Sequence, residues 1–356
     1  MRLDSLAARL SKESEMVGLA VAVVEKGEIT HLKGYGTVYP GGPAVDEDTV
    51  FRWASLSKGV AGTVAGIVAA DGQLSIDKPV SNYKSSLKLA GQGEKKITVA
   101  QILSHQTGIV PNAYDNLLEA GQDPKQIRGK LSGLKPICTP GECHTYQNVA
   151  FDAVAEVLEA ATTTPYPDLV KSRLFEPLGM TSASLSRAEL TANDNYARPF
   201  RWSSRTDTVF PDKLNDAYYN VPAAGGVNSS IKDLALYLKA QMGGAPNVLP
   251  REILETIHTP RIETLRERNS MRRRYGRINR ADYGLGWRIY DYEGRRVIGH
   301  RGAVRGYRAL ILFDPELETG IAALWNSSSR RPVGLQFEFM DMLYGLQSED
   351  WAKLGG

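Results

Sequence analysis

Apolar side chains recur at helical spacing from Leu3 to Met16, after which Gly18 to Tyr35 reads as two β-rich runs meeting at Lys26-Gly27. That pattern predicts a helix followed by a hairpin. The far end supplies the same ingredients. Gly284 to Tyr290, Arg296 to Gly299, Tyr307 to Phe313 and Gly320 to Trp325 are strand-like, with turns at Tyr292-Glu293-Gly294 and Asp314-Pro315-Glu316, and Val333 to Leu346 is helical. Strands and a helix at both ends predict one antiparallel sheet built from the two termini and flanked by helices, an α+β fold arranged as an α/β/α sandwich. Residues 1–55 and 281–356 form this sheet domain. Between them, 56–280 is expected as an inserted, mainly helical domain, with the active site between the two. Helical spacing marks Ser55 to Ala70, Thr98 to Ser104, Asn148 to Ala161, Tyr166 to Phe175 and Ser230 to Met242. Ser230 followed by Asp233 is a helix start with its acidic residue in the first turn.

One stretch has no apolar period. Arg261, Arg266, Arg268, Arg272, Arg273, Arg274, Arg277 and Arg280 predict a solvated, mobile loop near the site, or, as the alternative, a contact with an anionic polymer or membrane surface. Over the whole chain the charge argues for neither. Lys and Arg number 43 against 40 Asp and Glu in 356 residues, too even a balance to make nucleic acid or membrane the main partner. No apolar run approaches the roughly 18 residues that cross a bilayer, and the opening Met1-Arg2-Leu3-Asp4-Ser5 has no secretion-signal pattern. A trimmed mature form would look the same.

The two cysteines, Cys138 and Cys143, flank Thr-Pro-Gly-Glu, a turn that lets their Cα atoms approach to disulfide distance. Two free thiols in a cytosolic loop are the alternative. A metal site has little support, because no second Cys/His pair has suitable spacing. A bridge would favour a periplasmic chain whose signal segment has been removed; free thiols would favour the cytoplasm.

The chemistry begins at Ser55. Phe51 to Lys58 ends an extended approach and opens a long apolar helix, so Ser55 lies at the helix start with Lys58 one turn on. A serine hydroxyl needs a neighbouring base; a partly desolvated lysine can be that base, while free backbone N–H groups stabilise an oxyanion. The S-x-x-K spacing alone is weak, since it also occurs at Ser75/Lys78, Ser81/Lys84, Ser85/Lys88, Ser132/Lys135 and Ser229/Lys232. Only at Ser55 does it open a long apolar helix. Tyr146-Gln147-Asn148 follows a Pro/Gly turn and offers a phenol to shuttle a proton and a carboxamide to bind a substrate amide. His300-Arg301-Gly302 lies on a strand before Ala303, where glycine lets an extended ligand approach.

In this order, S-x-x-K, Y-x-N and H-x-G resemble the serine β-lactamase and penicillin-binding family, class C β-lactamases, DD-peptidases and related esterases in particular. Leu103 to Ile109, Leu174 to Met180 and Ala224 to Ser230 extend the resemblance over nearly the whole chain. It implies Ser55 as acylated nucleophile, Lys58 as its proton acceptor, Tyr146 as acid/base for the leaving group and Asn148 as substrate anchor. It further implies an oxyanion hole from the N–H groups of Ser55 and Ala303, with Gly302 beside them. His300 stands where class C enzymes carry lysine, and a histidine is near half-charged around pH 6.5. That departure turns the expectation from β-lactams toward D-alanyl peptides and small acyl esters, with Arg305 and Arg308 as candidate substitutes for the missing charge. The expected partner is a small-molecule or peptide substrate, and no cofactor is implied. A non-catalytic ligand-binding descendant is disfavoured by the presence of Ser55, Lys58 and Tyr146 together.

Overall fold

The computed structural model describes residues 2–355. Helix α1 (Arg2–Leu10) leads into β1 (Gly18–Glu25) and β2 (Glu28–Gly36), joined at Lys26 and Gly27, both at positive φ. Two left-handed residues give a hairpin turn whose twist matches its strands. The chain then leaves the sheet. Strand β3 (Val50–Arg52) feeds a 3₁₀ turn at Ala54–Leu56 and the long helix α2 (Ser57–Ala70). Short helices follow: α3 (Val99–Leu103), α4 (Asp115–Glu119), α5 (Pro124–Lys130), α6 (Ala153–Thr162), α7 (Tyr166–Val170) and α8 (Arg187–Ala192). Next come the hairpin β4 (Phe200–Ser203) and β5 (Thr208–Pro211), helix α9 (Pro222–Gly225), and β6 (Asn228–Ser230), which pairs with β3. Helices α10 (Ile231–Gln241) and α11 (Arg251–His258) return the chain to the sheet. The sheet is completed by β7 (Ile262–Glu263), helix α12 (Leu265–Tyr275), then β8 (Ile278–Tyr283), β9 (Arg288–Tyr292), β10 (Arg295–Val304), β11 (Tyr307–Asp314), β12 (Thr319–Trp325) and the closing helix α13 (Val333–Leu343).

The main sheet has eight strands in the order β2-β1-β12-β11-β10-β9-β8-β7, all antiparallel. Its two faces have separate cores. Along β1, Leu19, Val21 and Val23 face the layer of α1 and α13 with Leu6, Leu335 and Met340, whereas Ala20, Ala22 and Val24 face the layer that contains α2 and α10. Burial on both sides explains why this strand reads as a continuous apolar run rather than an alternating one.

Three expectations are corrected. The C-terminal part of the sheet starts at Ile262, so the boundary at 280/281 cuts through β8, and α10 of the inserted segment packs against β1, β2 and β12. The Arg-rich stretch is helix α12 rather than a loop; it lacked a readable period because Met271 is its one buried apolar side chain. Gly284 to Trp287 is a turn, with the strand starting only at Arg288. This turn is pressed onto α2, where a Cβ on Gly62 would stand 1.8 Å from the Leu285 carbonyl oxygen. Any side chain at residue 62 would therefore push β9 away from the helix that carries Lys58.

Candidate active site

Ser55 sits in the 3₁₀ turn between β3 and α2, two residues before the regular helix. Ala54, just ahead of it, is left-handed at φ 51°. A non-glycine residue in that region costs on the order of 1 kcal/mol or more, and it persists only where its surroundings over-determine it. Here they do. Ser57 Oγ donates to the Ala54 carbonyl at 2.7 Å and accepts from Val227 N–H at 3.0 Å, while Trp53 N–H donates to the Val227 carbonyl at 2.9 Å. The β3–β6 pair therefore clamps the turn that presents Ser55.

Lys58 is fully buried and its ammonium nitrogen meets three oxygens: Asn148 Oδ1 at 2.8 Å, the Ala224 carbonyl at 2.9 Å and Ser55 Oγ at 3.2 Å. Asn148 and Ala224 each accept one N–H. The third position of the nitrogen, an N–H in the ammonium and a lone pair in the amine, then faces Ser55. A proton can move between lysine and serine along that line. Tyr146 closes the other side, its hydroxyl donating to Ser55 Oγ at 2.9 Å. The sequence-predicted trio Ser55, Lys58 and Tyr146 is thus assembled within hydrogen-bond reach.

Asn148 has a different immediate task from the one expected. Its oxygen fixes Lys58, and its amide nitrogen donates to Asp115 Oδ2 at 2.7 Å. Burial holds the Asp115 carboxyl above its usual range, with the Asn148 bond and Lys58 opposing it.

His300 also departs from expectation. Gln147 N–H donates to His105 Nδ1 at 3.2 Å, so the His105 proton is on Nε2 and points to Tyr283 Oη, 3.2 Å away. Tyr283 then donates to His300 Nε2 at 2.8 Å, and His300 Nδ1–H donates to the Arg301 carbonyl at 2.9 Å. Each tautomer in this His105–Tyr283–His300 chain is dictated by a backbone group at its end. Both nitrogens of His300 are committed inside the protein, so neither is free for a substrate carboxylate. Burial first, then the charges of Arg288 and Lys58, hold His300 well below its ordinary pKa, and burial with neighbouring His144 does the same to His105. Both histidines are neutral, where the sequence suggested a half-charged residue 300.

Gly302 lies against the turn that carries Ser55. A Cβ there would stand 2.1 Å from the Trp53 carbonyl and 3.1 Å from Ser55 N, so only glycine lets β10 run beside Ser55 and bring Ala303 alongside. Past this point, Ala303, Val304, Arg305, Gly306 and Arg308 line one wall of a cleft of ≈ 290 Å³, with Tyr218 and Glu119 also lining it. Arg305 is exposed there, whereas Arg308 donates to the Val304 and Tyr307 carbonyls and so braces the turn between β10 and β11. Cys138 and Cys143 are joined, with sulfurs 1.96 Å apart, in the loop before Tyr146. That loop is also held by backbone bonds from Gly141 to Gln106 and from Thr145 to His105.

Sequence reasoning missed the floor of the site. His105 belonged to a quoted motif but had no role, and Tyr283, Arg288 and Glu267 gave no signal, since each is separated by more than a hundred residues from Tyr146. Only the register of β8, β9 and β10 brings them under the tyrosine.

The family model described as Beta-lactamase matches residues 3–339. Among curated relatives, the unguisins hydrolase ungD' of Aspergillus campestris is 25% identical over 352 residues, covering 94% of this chain and 64% of that protein. This chain therefore spans somewhat less than two thirds of that relative. A Pseudomonas fluorescens protein named Beta-lactamase is 23% identical over 292 residues, covering 82% of this chain and 74% of its own. Among solved structures, the octameric penicillin-binding protein homologue from Pyrococcus abyssi superposes with a TM-score of 0.85 at 24% identity, over 97% of this chain and 77% of that one. At this identity the superposition shows a shared fold.

Proposed function

The chain belongs to the beta-lactamase family, and we propose that it is a serine hydrolase that cleaves acyl compounds through an acyl-enzyme on Ser55. The observation that carries this reading is the double contact on one oxygen, Tyr146 at 2.9 Å and Lys58 at 3.2 Å from Ser55 Oγ. In acylation Lys58 takes the serine proton as Oγ attacks the carbonyl carbon, and Tyr146 delivers a proton to the departing nitrogen or oxygen. The N–H groups of Ser55 and Ala303 receive the oxyanion. Water then attacks the ester, with the same pair in reversed roles. Asn148 keeps Lys58 aimed at Ser55 and turns its remaining N–H toward substrate.

The substrate class follows from charge. With His300 neutral and both its nitrogens occupied, the position that would carry a fixed cation offers none to a substrate carboxylate. This favours small acyl esters, which bring no carboxylate to the site. Arg305, exposed in the cleft next to Ala303, supports a second reading, in which it meets the carboxylate of a β-lactam or of a terminal D-alanine. The Cys138–Cys143 bridge supports residence in an oxidising compartment such as the periplasm.

The test is intact mass over time after mixing parent and Ser55→Ala with a penicillin, a cephalosporin and p-nitrophenyl butyrate. An acyl adduct in the parent and none in the folded variant is expected. An adduct that survives in Ser55→Ala would refute the assignment, and the adduct lifetimes rank β-lactams against the ester.

A further inference from the structure

Behind Tyr146 lies an ion cluster that the acylation chemistry above does not use. Arg288, the first residue of β9, places its guanidinium carbon 5.6 Å from the centre of the Tyr146 ring and 5.6 Å from that of Tyr283. Its side chain is only 14% exposed. Across from it, Glu267 of α12 lies 3.4 Å from Arg288 Nη1, pairs also with Arg301 of β10, and accepts the Tyr290 hydroxyl at 3.0 Å. Glu267 thus stitches the otherwise polar helix α12 onto two strands. Burial alone would raise its carboxyl, but Arg288 and Arg301 outweigh it and bring the group down to about 2. The carboxylate is therefore charged at neutral pH and lies against the guanidinium at 3.4 Å.

We propose that Arg288 is a positioning residue for proton transfer at Ser55, a fixed positive charge over Tyr146 that Glu267 locks in place, occupying the electrostatic role left open by the neutral His300. This inference rests on Tyr146 and Lys58 acting on Ser55 as described above. A cation over a phenol favours the form in which the phenol or its neighbour has given up a proton. Among the groups facing Tyr146, the one other cation is Lys58, which takes part in the proton transfer itself. Ser55 and Lys58 face it from the α2 side, His105 from the turn after α3, Tyr283 from β8, His300 from β10 and Tyr218 from the loop before α9. Both histidines are neutral, so the cations near the ring are Lys58, itself a participant, and Arg288. Asp115 faces Lys58 from α4 through Asn148, and His144 packs beside Tyr283 without reaching the phenol oxygen.

The experiment is the pH profile of kcat/KM for p-nitrophenyl butyrate, a neutral ester whose binding needs no cation. It is run on the parent, Arg288→Lys, Arg288→Met and the pair Arg288→Met with Glu267→Gln. The paired variant leaves no orphaned carboxylate facing residue 288, so it stays measurable if the single one fails to fold. The profile's midpoint is independent of how much protein is folded, which a merely structural role would not move. One charge at this distance predicts that the acidic limb moves up by roughly one to two pH units in Arg288→Met, and by a smaller amount in the paired variant, which loses the Glu267 negative charge as well. Arg288→Lys is expected to return most of that shift. Unchanged midpoints in the Met variants, or a lysine variant that matches them, would overturn the proposal while Ser55-dependent acylation stood. Acylation independent of Ser55 in the mass experiment would overturn both.

Discussion

The most buried ion pair of the molecule makes a quantitative prediction. Arg128 of α5 meets Asp152 Oδ2 at 3.0 Å and Glu156 Oε1 at 3.0 Å, and donates from Nε to Ser86 Oγ at 2.7 Å; its side chain is 3% exposed and that of Asp152 4%. The other Asp152 oxygen accepts Ala223 N–H at 2.9 Å, next to the carbonyl that holds Lys58. Replacing Arg128 by alanine leaves Asp152 buried without its cation, a change that costs about 3–5 kcal/mol. At about 2.1 cal/mol/K per residue, this chain has an unfolding entropy near 0.75 kcal/mol/K, so Tm should drop by about 4–7 °C.

The sign of the pH dependence is fixed by the same pair. Burial pushes the Asp152 carboxyl from 3.8 up to about 6, with Arg128 opposing it. The folded state therefore holds this proton more tightly than the unfolded chain, and the group's contribution to stability falls as pH rises from 3.8 to about 6, then stays level. Without Arg128 the folded-state value climbs further and the fall continues at higher pH. The Arg128→Ala deficit should be smaller at pH 5, where Asp152 is largely protonated in both proteins, than at pH 8. Calorimetric or urea unfolding at the two pH values measures it, with kcat/KM for an ester as a second readout through Ala224. A deficit under about 1 kcal/mol at pH 8, or equal deficits at both, would refute the reasoning.

Two further predictions concern the rim of the site. Since His300 is neutral throughout, the ratio of kcat/KM for nitrocefin to that for p-nitrophenyl butyrate should stay constant between pH 5 and 8; a ratio that rises toward low pH with a midpoint between 6 and 7 would show a charged His300 in substrate selection. Replacing both Cys138 and Cys143 by serine should lower stability by about 2 kcal/mol in the loop-entropy account, roughly a 3 °C drop in Tm. Because Tyr146 is also held by Asn112 N–H on its carbonyl at 2.8 Å, kcat/KM should change less than about threefold, and a tenfold loss would mean that the bridge itself positions the tyrosine.

The linear pattern was enough to place the central sheet, because strands such as β1, β11 and β12 are continuous apolar runs bounded by turn residues, and those features are local. It also singled out Ser55 and Lys58, since one helical turn is a spacing that sequence writes directly, and Tyr146 with Asn148, two positions apart in one loop. It could not place α12, whose attachment depends on Glu267 and Met271 rather than on a repeated apolar stripe. Nor could it assign protons. The charge of His300 depends on how deeply β10 is buried and on what Tyr283 offers it, and both are decided by strands that meet only in the folded sheet. The same holds for Arg288. As a residue in a strand it looks like any surface arginine, and its place under Tyr146 comes from the β8–β9 turn lying on Gly62 of α2, a backbone contact between segments more than two hundred residues apart. Sequence determined which groups could react, because reactivity begins with residue type and local spacing; tertiary structure decided which were charged and where they pointed, because desolvation and Coulomb fields act through space.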